Sequence, residues 1–448
     1  MSREKFRTRF GFILVSAGCA IGIGNVWKFP YIAGENGGGV FVMFYLLFLL
    51  IMGIPVLTME LAIGRASRQS TVNAFRTLEN PDNRWHYHGF ISLAGCILLM
   101  MYYTTVSGWM LGYFFRFVSG TFEKSLNSAL IFSEMLADSK EMILLMGITV
   151  IIGVAVCSMG LQNGTERVSK IMMTGMLILT AALAVNSLTL DGAAEGLRFF
   201  LLPDFGKAVE NGIGNIMTAA MSQAFFSLSI GLASMEIFGS YMSKDNTLPS
   251  ESVRICVLDT FVAVVSGIII FPACFTFGIK PDSGPPLIFI TLPKVFSDMA
   301  NGRILGSLFF LFMSFASLST VIAVCENLIS AGIDTFGLSR KKASVICGVF
   351  LFTLSLPCIF GYNIWEDIKI IGGRNISDSE DFIVSNLLLP AGAIIYILFC
   401  TTKYGWGFDK YIKEANTGKG LKIPQKAKPY FQFMLPVFIL IIFISSLR

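Results

Sequence analysis

Apolar stretches long enough to cross a lipid bilayer recur along almost the entire chain. A spanning helix needs about 20 mainly apolar residues, and hydrophobic residues make up 54% of these 448 residues while charged residues make up only 14%. One soluble core cannot bury that much apolar surface. We therefore predict an all-α membrane protein with eleven transmembrane helices, at about 10–33, 39–64, 89–118, 141–158, 167–187, 215–240, 252–278, 304–333, 343–361, 382–401 and 430–446.

Basic residues are distributed unevenly between the two sides of these spans. If the amino terminus lies in the cytoplasm, the inner segments carry 22 Lys and Arg residues and the outer segments carry 10. This excess predicts a cytoplasmic amino terminus and, after eleven spans, an extracytoplasmic carboxyl terminus. Topology then explains the net charge of +5, and we expect no nucleic-acid partner. The first apolar run outlasts the apolar region of a signal peptide, so we expect it to be retained.

Side chains that could carry enzyme chemistry are scarce. All nine cysteines lie within predicted spans, so no disulfide framework is implied. The two histidines, His86 and His88, fall in a predicted inner loop, where we expect them to be solvated. The sequence therefore predicts neither an enzyme nor an organic cofactor.

The first predicted span is interrupted in its middle by polar and small residues. Gly22, Gly24, Asn25 and Lys28 stand where an ordinary membrane anchor would be apolar throughout. Non-helical backbone at membrane depth persists only where it is buried in protein or lines a cavity. The interruption predicts a binding site inside the membrane.

A second interruption lies five spans later, around Ser227, Ser229 and Gly231. Broken helices at corresponding places in two halves indicate an inverted repeat with a site near the midplane. The predicted repeats cover about 10–187 and 215–401, with an extra helix at about 430–446, in a single transporter domain over 1–448. Close helix packing by glycine is the alternative for either motif alone.

Several motifs together resemble those of a known family. GIGNVWKFPY at Gly22–Tyr31, ENGGG at Glu35–Gly39 and GIP at Gly53–Pro55, followed by Glu60 and Gly64-Arg65, resemble the start of the neurotransmitter:sodium symporters, particularly the bacterial sodium-dependent amino-acid transporters. The likeness extends through the sixth and eighth spans. It implies a leucine-transporter-like fold, with a 5+5 inverted repeat and broken first and sixth helices, and import of an α-amino acid with sodium by alternating access.

The resemblance implies a substrate site at the two interruptions. A half-helix that starts near Gly24 presents free N–H groups and a positive dipole end to the substrate carboxylate. Carbonyl and hydroxyl oxygens of the sixth span take the ammonium, and apolar residues predict a hydrophobic or aromatic substrate side chain, although ordinary helix packing explains those residues equally well. The implied residues are Ala20, Gly22, Gly24, Leu99, Tyr103, Phe226, Ser227, Ser229, Leu232, Val321 and Val324.

Gly22 bears on the class of substrate. Family members that carry decarboxylated amines have an aspartate at the matching position, which meets the amine. A glycine leaves room for the carboxylate that an amino acid brings itself. We therefore predict transport of amino acids rather than monoamines.

Two sodium ions are implied by the same resemblance. The first has Ala20, Asn25, Ser227 and Asp259 as ligands, together with the substrate carboxylate; the second has Gly18, Ile21, Ala316, Ser319 and Thr320. Many relatives have asparagine where this chain has Asp259, and chloride-dependent relatives bind an anion nearby. A carboxylate already in place replaces that anion, so we predict chloride-independent uptake. Two alternatives stay open: an Asp259–Arg254 pair near the inner surface, and hydroxyls of Ser319 and Thr320 bonded to the preceding turn.

The resemblance also implies two gates of charged residues. Lys28 and Asp381 close the outer path, with Tyr103 and Phe226 as the lid beneath them. The inner path is closed by Arg3, Asp334, Ser240 and Tyr241.

The function predicted on these grounds is secondary active symport in a bacterial inner membrane. The expected partners are a small amino-acid substrate and the lipid bilayer, with no obligate protein partner. An amino-acid receptor or a substrate-gated channel built on the same fold is the alternative.

Overall fold

The computed structural model describes residues 3–124, 127–210, 212–278, 287–299 and 301–447. Within these ranges the regular structure is helical and no β-strand occurs, which confirms the predicted all-α class. The first nine helices are α1 Arg9–Ala20, α2 Phe29–Glu35, α3 Gly39–Phe48, α4 Ile54–Ser67, α5 Thr71–Leu78, α6 His86–Val118, α7 Ser128–Ala137, α8 Ser139–Ser158 and α9 Arg167–Ser187. The others are α10 Ala193–Leu201, α11 Phe205–Glu210, α12 Ile213–Ser227, α13 Ser234–Ser240, α14 Leu248–Thr276, α15 Leu292–Asp298, α16 Gly302–Phe336, α17 Arg340–Phe360, α18 Ile376–Phe382, α19 Leu389–Thr401, α20 Phe408–Ala415 and α21 Leu435–Ser446.

Several helices join through π-helical turns into longer spans. In the described part of the chain, nine helical stretches are long and apolar enough to cross a membrane. They are Gly39–Ser67, His86–Val118, Ser139–Ser158, Leu161–Ser187, Leu248–Thr276, Gly302–Phe336, Arg340–Phe360, Ile376–Thr401 and Gln425–Ser446. A tenth candidate is the pair Arg9–Ala20 and Gly24–Glu35, bent by 58° at the break.

The predicted span at 215–240 consists of two helices, neither of which is long enough to cross alone. α12 ends at Ser227 and α13 starts at Ser234. Between them Ser229 (φ 51°), Gly231 (φ 110°) and Ala233 adopt left-handed backbone conformations that end a right-handed helix. A Cβ added at Gly231 would lie 2.2 Å from the Leu389 carbonyl oxygen, so this turn requires glycine.

The spans differ in how far they are enclosed by protein. Within its most apolar window α16 is 83% buried, whereas the last span, Gln425–Ser446, is only 22% buried. α16 packs against α6, α8, α9 and α1 and forms the centre of the bundle. Apolar side chains on outer helices are exposed, as in Ile151, Ile178 and Val185, which suits contact with lipid acyl chains.

The prediction of a solvated histidine loop is wrong for His88. α6 starts at His86, three residues before the predicted span, and its first turn turns the His88 side chain inward. The His88 ring contacts the edges of Phe75 and Tyr396, with centroids 5.3 Å away in each case. His86 pairs with Glu79 at 2.6 Å and stays partly exposed.

Candidate functional site

A cavity of about 430 Å³ lies where the two interrupted spans face each other. Its inner part is lined by the backbone of the first break and by side chains of α6, α12 and α16. These lining residues are Ala20, Gly22, Ile23, Gly24, Asn25, Leu99, Tyr103, Phe226, Ser227, Ser229, Leu232 and Thr320. Its outer part reaches Lys28 and Asp381. The cavity is mostly apolar, with polar groups concentrated at the breaks.

Small residues at the first break allow neighbouring side chains to approach the backbone. α1 ends where Ile21 becomes extended (φ −71°, ψ 91°), and the Tyr103 hydroxyl accepts a hydrogen bond from the Ile23 N–H at 3.1 Å. A Cβ at Gly22 would lie 2.5 Å from the Tyr103 hydroxyl and 3.0 Å from Thr320 Oγ1. A Cβ at Gly24 would lie 2.9 Å from the Phe226 ring. A larger residue at either position would therefore displace side chains that line the cavity.

Nine of the eleven predicted substrate residues line this cavity, while Val321 and Val324 do not. Val321 lies against Gly153 of α8, where a Cβ on that glycine would be 2.9 Å from Val321 Cγ1. Thr320 occupies the face of α16 that looks into the cavity, and the next residue of a helix points about 100° away from it. The pocket is thus shaped on this side by Thr320 rather than by the two valines.

The residues predicted for the first sodium ion form one buried cluster. Asn25 Nδ2 donates to Asp259 Oδ1 at 2.7 Å and to the Asp259 carbonyl oxygen at 3.2 Å. Asn25 Oδ1 and Asp259 Oδ2 are buried and accept no hydrogen bond of normal geometry among the described residues. The hydroxyls of Ser227 and Tyr45 approach the Asp259 carboxylate, and a group of buried oxygens such as this one fits a hard cation, which binds through oxygen ligands. Arg254 pairs instead with Glu251 at 2.9 Å, so the alternative Asp259–Arg254 pair is not formed.

The residues predicted for the second ion also come together. Ser319 Oγ donates to the Gly18 carbonyl at 2.9 Å and to the Ala316 carbonyl at 2.8 Å. Thr320 Oγ1 lies 3.3 Å from the Gly18 carbonyl. These hydroxyls therefore bond both to their own preceding turn and to the end of α1, next to Ile21. Among the described residues, no three His, Cys, Asp or Glu side chains are grouped so that they could hold a metal ion.

The predicted inner gate forms a connected network on the side of the amino terminus. Both carboxylate oxygens of Asp334 accept hydrogen bonds from Arg3 Nη1, at 2.6 and 2.8 Å. Arg3 also donates to Ser240 Oγ at 3.0 and 3.1 Å, and its guanidinium lies 4.8 Å from the centre of the Tyr241 ring. Tyr241 donates in turn to Glu326 at 2.7 Å, and Arg340 pairs with Glu326 at 2.9 Å.

The predicted outer pair is not joined. The Lys28 ammonium lies 3.8 Å above the centre of the Phe226 ring, and Asp381 accepts from Ser385 at 2.8 Å. Within the described ranges no ion pair links Lys28 to Asp381, and Tyr103 makes no ring contact with Phe226. Both residues line the outer part of the cavity.

Two further residues support the breaks, although we did not assign them a role from the sequence. Glu60 accepts hydrogen bonds from the backbone N–H groups of Gly231 and Met235, the latter at 3.3 Å. Gln223 Nε2 lies 3.4 Å from the Gly24 carbonyl and links α12 to the first break. A carboxylate or an amide inside an apolar span is energetically costly, so it indicates a structural or functional role. The polar character of Glu60 and Gln223 within their spans could have identified both residues from the sequence.

Comparisons with known proteins agree with this geometry. The family model of the Sodium:neurotransmitter symporter family matches residues 3–128 and 125–448. The uncharacterized sodium-dependent transporter YhdH of Bacillus subtilis is 32% identical over 99% of this chain and 98% of its own length. A human sodium-dependent neutral amino acid transporter, SLC6A17, is 26% identical over 60% of this chain and 40% of its own length.

The fold is shared with a solved structure. The crystal structure of MhsT in complex with L-phenylalanine is 35% identical, with a TM-score of 0.88 over 99% of this chain and 100% of that chain. The matches to the family model and to YhdH extend over the whole chain, including both breaks and the cavity between them. The chain therefore belongs to the sodium:neurotransmitter symporter family, whose members are sodium-coupled transporters rather than enzymes.

Proposed function

We propose that the protein is a secondary active symporter that imports a hydrophobic or aromatic α-amino acid together with sodium by alternating access. The observation that carries this proposal is the cavity between two broken helices, which has backbone groups of Gly22 and Gly24 at one end and Leu99, Phe226 and Leu232 along its sides. MhsT, which shares the fold, binds phenylalanine. A polar end beside an apolar wall suits an amino acid with an apolar side chain.

The ends of the broken helices supply both kinds of group that a zwitterion needs. In this proposal the substrate carboxylate binds at the start of the half-helix that begins at Gly24, where helix-end N–H groups favour an anion. The Tyr103 hydroxyl, which accepts from Ile23 and lies beside Thr320, can also donate its proton to the carboxylate. At the second break, carbonyl groups near Phe226 and Ser227 and the Ser229 hydroxyl accept from the ammonium in this proposal. In this proposal Gly22 leaves the space that the carboxylate occupies.

Two sodium ions bind beside the substrate in this proposal. The cluster of Asn25 and Asp259 holds the first, together with Ala20 and Ser227, and the substrate carboxylate completes its ligands. Because the sodium ion and the amino acid share that carboxylate, binding of either one stabilises the site of the other, which is the physical basis of coupling. Asp259 supplies a negative charge next to the ion, so transport proceeds without chloride. The second ion binds between the end of α1 and Ser319 and Thr320.

The two proposed gates differ in whether their charged residues are joined. We infer that the structure faces outward, since Lys28 and Asp381 are apart and Arg3 is joined to Asp334. In the proposed orientation the amino terminus is cytoplasmic in a bacterial cell membrane and the two five-helix halves form an inverted repeat. Closing the outer path then requires Lys28 to leave the Phe226 ring and approach Asp381.

Loss of the Arg3 side chain is expected to weaken accumulation more than binding. Arg3→Ala removes the pair with Asp334 and the bonds to Ser240, and so favours opening on the side of the amino terminus. We expect the steady accumulation of substrate to fall about fivefold while sodium and substrate binding stay within about twofold. Arg7→Ala, which removes an exposed side chain nearby, is the control. Equal effects of the two substitutions on accumulation would contradict the gate.

The class of substrate is tested by uptake across the twenty amino acids. Purified protein in liposomes is given an inward sodium gradient and labelled phenylalanine, and each other amino acid is added in excess as a competitor. We expect competition from aromatic and large aliphatic amino acids and none from monoamines such as phenethylamine. Uptake of the amine without any amino acid would overturn the assignment.

A further inference from the structure

Two buried carboxyl groups lie behind the second break, outside the cavity and the sodium clusters. Glu60 on α4 is held by the N–H groups of Gly231 and Met235. Glu236 on α13 accepts one hydrogen bond, from the Tyr396 hydroxyl to Oε2. Its other oxygen, Oε1, is buried and has no hydrogen-bond partner among the described residues. Both side chains are fully enclosed.

No cation offsets the charge of these two groups. The helices packed against α13 are α4, α16 and α1, and their titratable side chains are Arg9, Cys19, Glu60, Arg65, Arg303, Cys325, Glu326 and Asp334. Arg3, Arg68, Cys96, Tyr396 and Cys400 approach from other segments. Arg9 pairs with Glu251, and Arg303 donates to the Val118 carbonyl. Arg3 pairs with Asp334 and Arg65 with Glu414, while Arg68 donates to the Ser240 carbonyl. In the described part of the chain, no ion pair reaches Glu236 or Glu60.

The two carboxyl groups lie on facing helices, since Glu60 accepts from the N–H of Met235, the residue next to Glu236. Two N–H groups, one of them in the first turn of α13, favour the anionic form of Glu60 over that of Glu236, which has a single donor. A second anion at Glu236, with one donor and no cation, is strongly disfavoured inside a membrane. A proton on Oε1 removes the repulsion and uses the oxygen that otherwise has no partner. The geometry therefore favours a protonated Glu236 when α4 and α13 are packed as they are here.

A series of polar side chains leads from Glu236 toward the side of the amino terminus. The ring of Tyr396 lies edge-on to that of His88, with centroids 5.3 Å apart. His88 is 5% exposed, its Nδ1 lacks a partner among the described residues, and its Nε2 lies 3.3 Å from Ser92 Oγ. Two residues earlier, His86 is partly exposed and pairs with Glu79. Buried Glu and His side chains in series are typical of proton pathways in membrane transporters.

We propose that Glu236 is a proton-binding site inside the membrane, reached past Tyr396 and His88 from the side of the amino terminus. Binding forms an O–H bond on a carboxylate oxygen with a proton from water on that side, and release returns the proton to that water. Within the transport cycle proposed above, on which this last step rests, release leaves facing anions on α4 and α13. Loss of the proton then accompanies movement of α13 away from α4.

Infrared difference spectroscopy of the full-length protein in phospholipid vesicles tests the site without substrate. We expect a C=O band of a buried protonated carboxyl group that is absent in Glu236→Gln and retained in Glu251→Gln, which alters an ion-paired carboxylate instead. Tyr396→Phe keeps the band but changes its frequency, because the group loses its hydrogen bond. His88→Gln slows exchange of this proton for deuterium at least about tenfold.

The outcomes separate the parts of the proposal. A band that persists unchanged in Glu236→Gln, or no such band in the wild-type protein, overturns the proton site. Normal deuterium exchange in His88→Gln overturns the route. If Glu236→Gln does not fold, the frequency of the C=O band in Tyr396→Phe provides the test. An unchanged frequency would show that the band does not come from Glu236. Because no amino acid is added, failure of the proposed transport would leave these spectra unaffected.

Discussion

Replacement of Gly22 by aspartate is expected to reduce amino-acid uptake at least about 100-fold, or ~2.7 kcal/mol in transport efficiency. Even a Cβ at this position would lie 2.5 Å from the Tyr103 hydroxyl, well inside van der Waals contact. The added carboxylate would also occupy the space proposed for the substrate carboxylate and repel it. Uptake of the preferred amino acid into liposomes, with binding measured in parallel, gives the size of the effect.

A matched substitution separates the effect of a carboxylate in the cavity from the effect of introducing an aspartate elsewhere in the protein. Gly214→Asp introduces the same side chain in α12 at an exposed glycine that has no neighbouring atom within 4 Å of an added Cβ. We expect its uptake to stay close to that of the wild-type protein. Retention of amino-acid uptake within about tenfold in Gly22→Asp would show that the carboxylate does not bind at the first break.

Replacement of Asp259 by asparagine is expected to lower apparent sodium affinity about tenfold or more in chloride-free buffer. The substitution keeps the size of the side chain and removes the one carboxylate of the first sodium cluster. Chloride should restore part of the uptake, since the Tyr45 and Ser227 hydroxyls, 3.2 Å apart, can donate to an anion there. The measurement is the sodium dependence of uptake, with and without chloride.

Asp409→Asn is the control, because this carboxylate is 76% exposed and lies outside the site. It should leave the sodium dependence unchanged. If wild-type uptake requires chloride, or if Asp259→Asn has the sodium affinity of the wild-type protein, then Asp259 does not provide the charge that offsets the first ion.

The helical class and the positions of both breaks could be predicted from the sequence because apolar length and glycine content are local properties. The breaks observed at 21–23 and 228–233 fall on the predicted motifs. The start of α6 is harder to predict from the sequence, since a polar histidine is typical of a loop. The burial of His88 depends on Phe75 and Tyr396, which come from other parts of the chain.

Which side chains point into the cavity was harder to predict. In a span that is apolar on every side, hydrophobic periodicity does not show which face looks inward, and so Val321 and Val324 were assigned to the pocket while Thr320 lines it. The Lys28–Asp381 pair could not be judged from sequence either, because its formation depends on the conformation. Arg3 and Asp334, by contrast, lie together as the resemblance implied.

If a sodium gradient drives net movement of an amino acid, the protein must accumulate that amino acid in liposomes. Labelled phenylalanine, or the strongest competitor found for it, is supplied with an inward sodium gradient, and its internal concentration is followed over time. We expect accumulation above the external concentration, and we expect it to collapse when a sodium ionophore is added or potassium replaces sodium. Binding without accumulation would instead indicate a receptor, and a substrate-gated current that only equalises concentrations would indicate a channel.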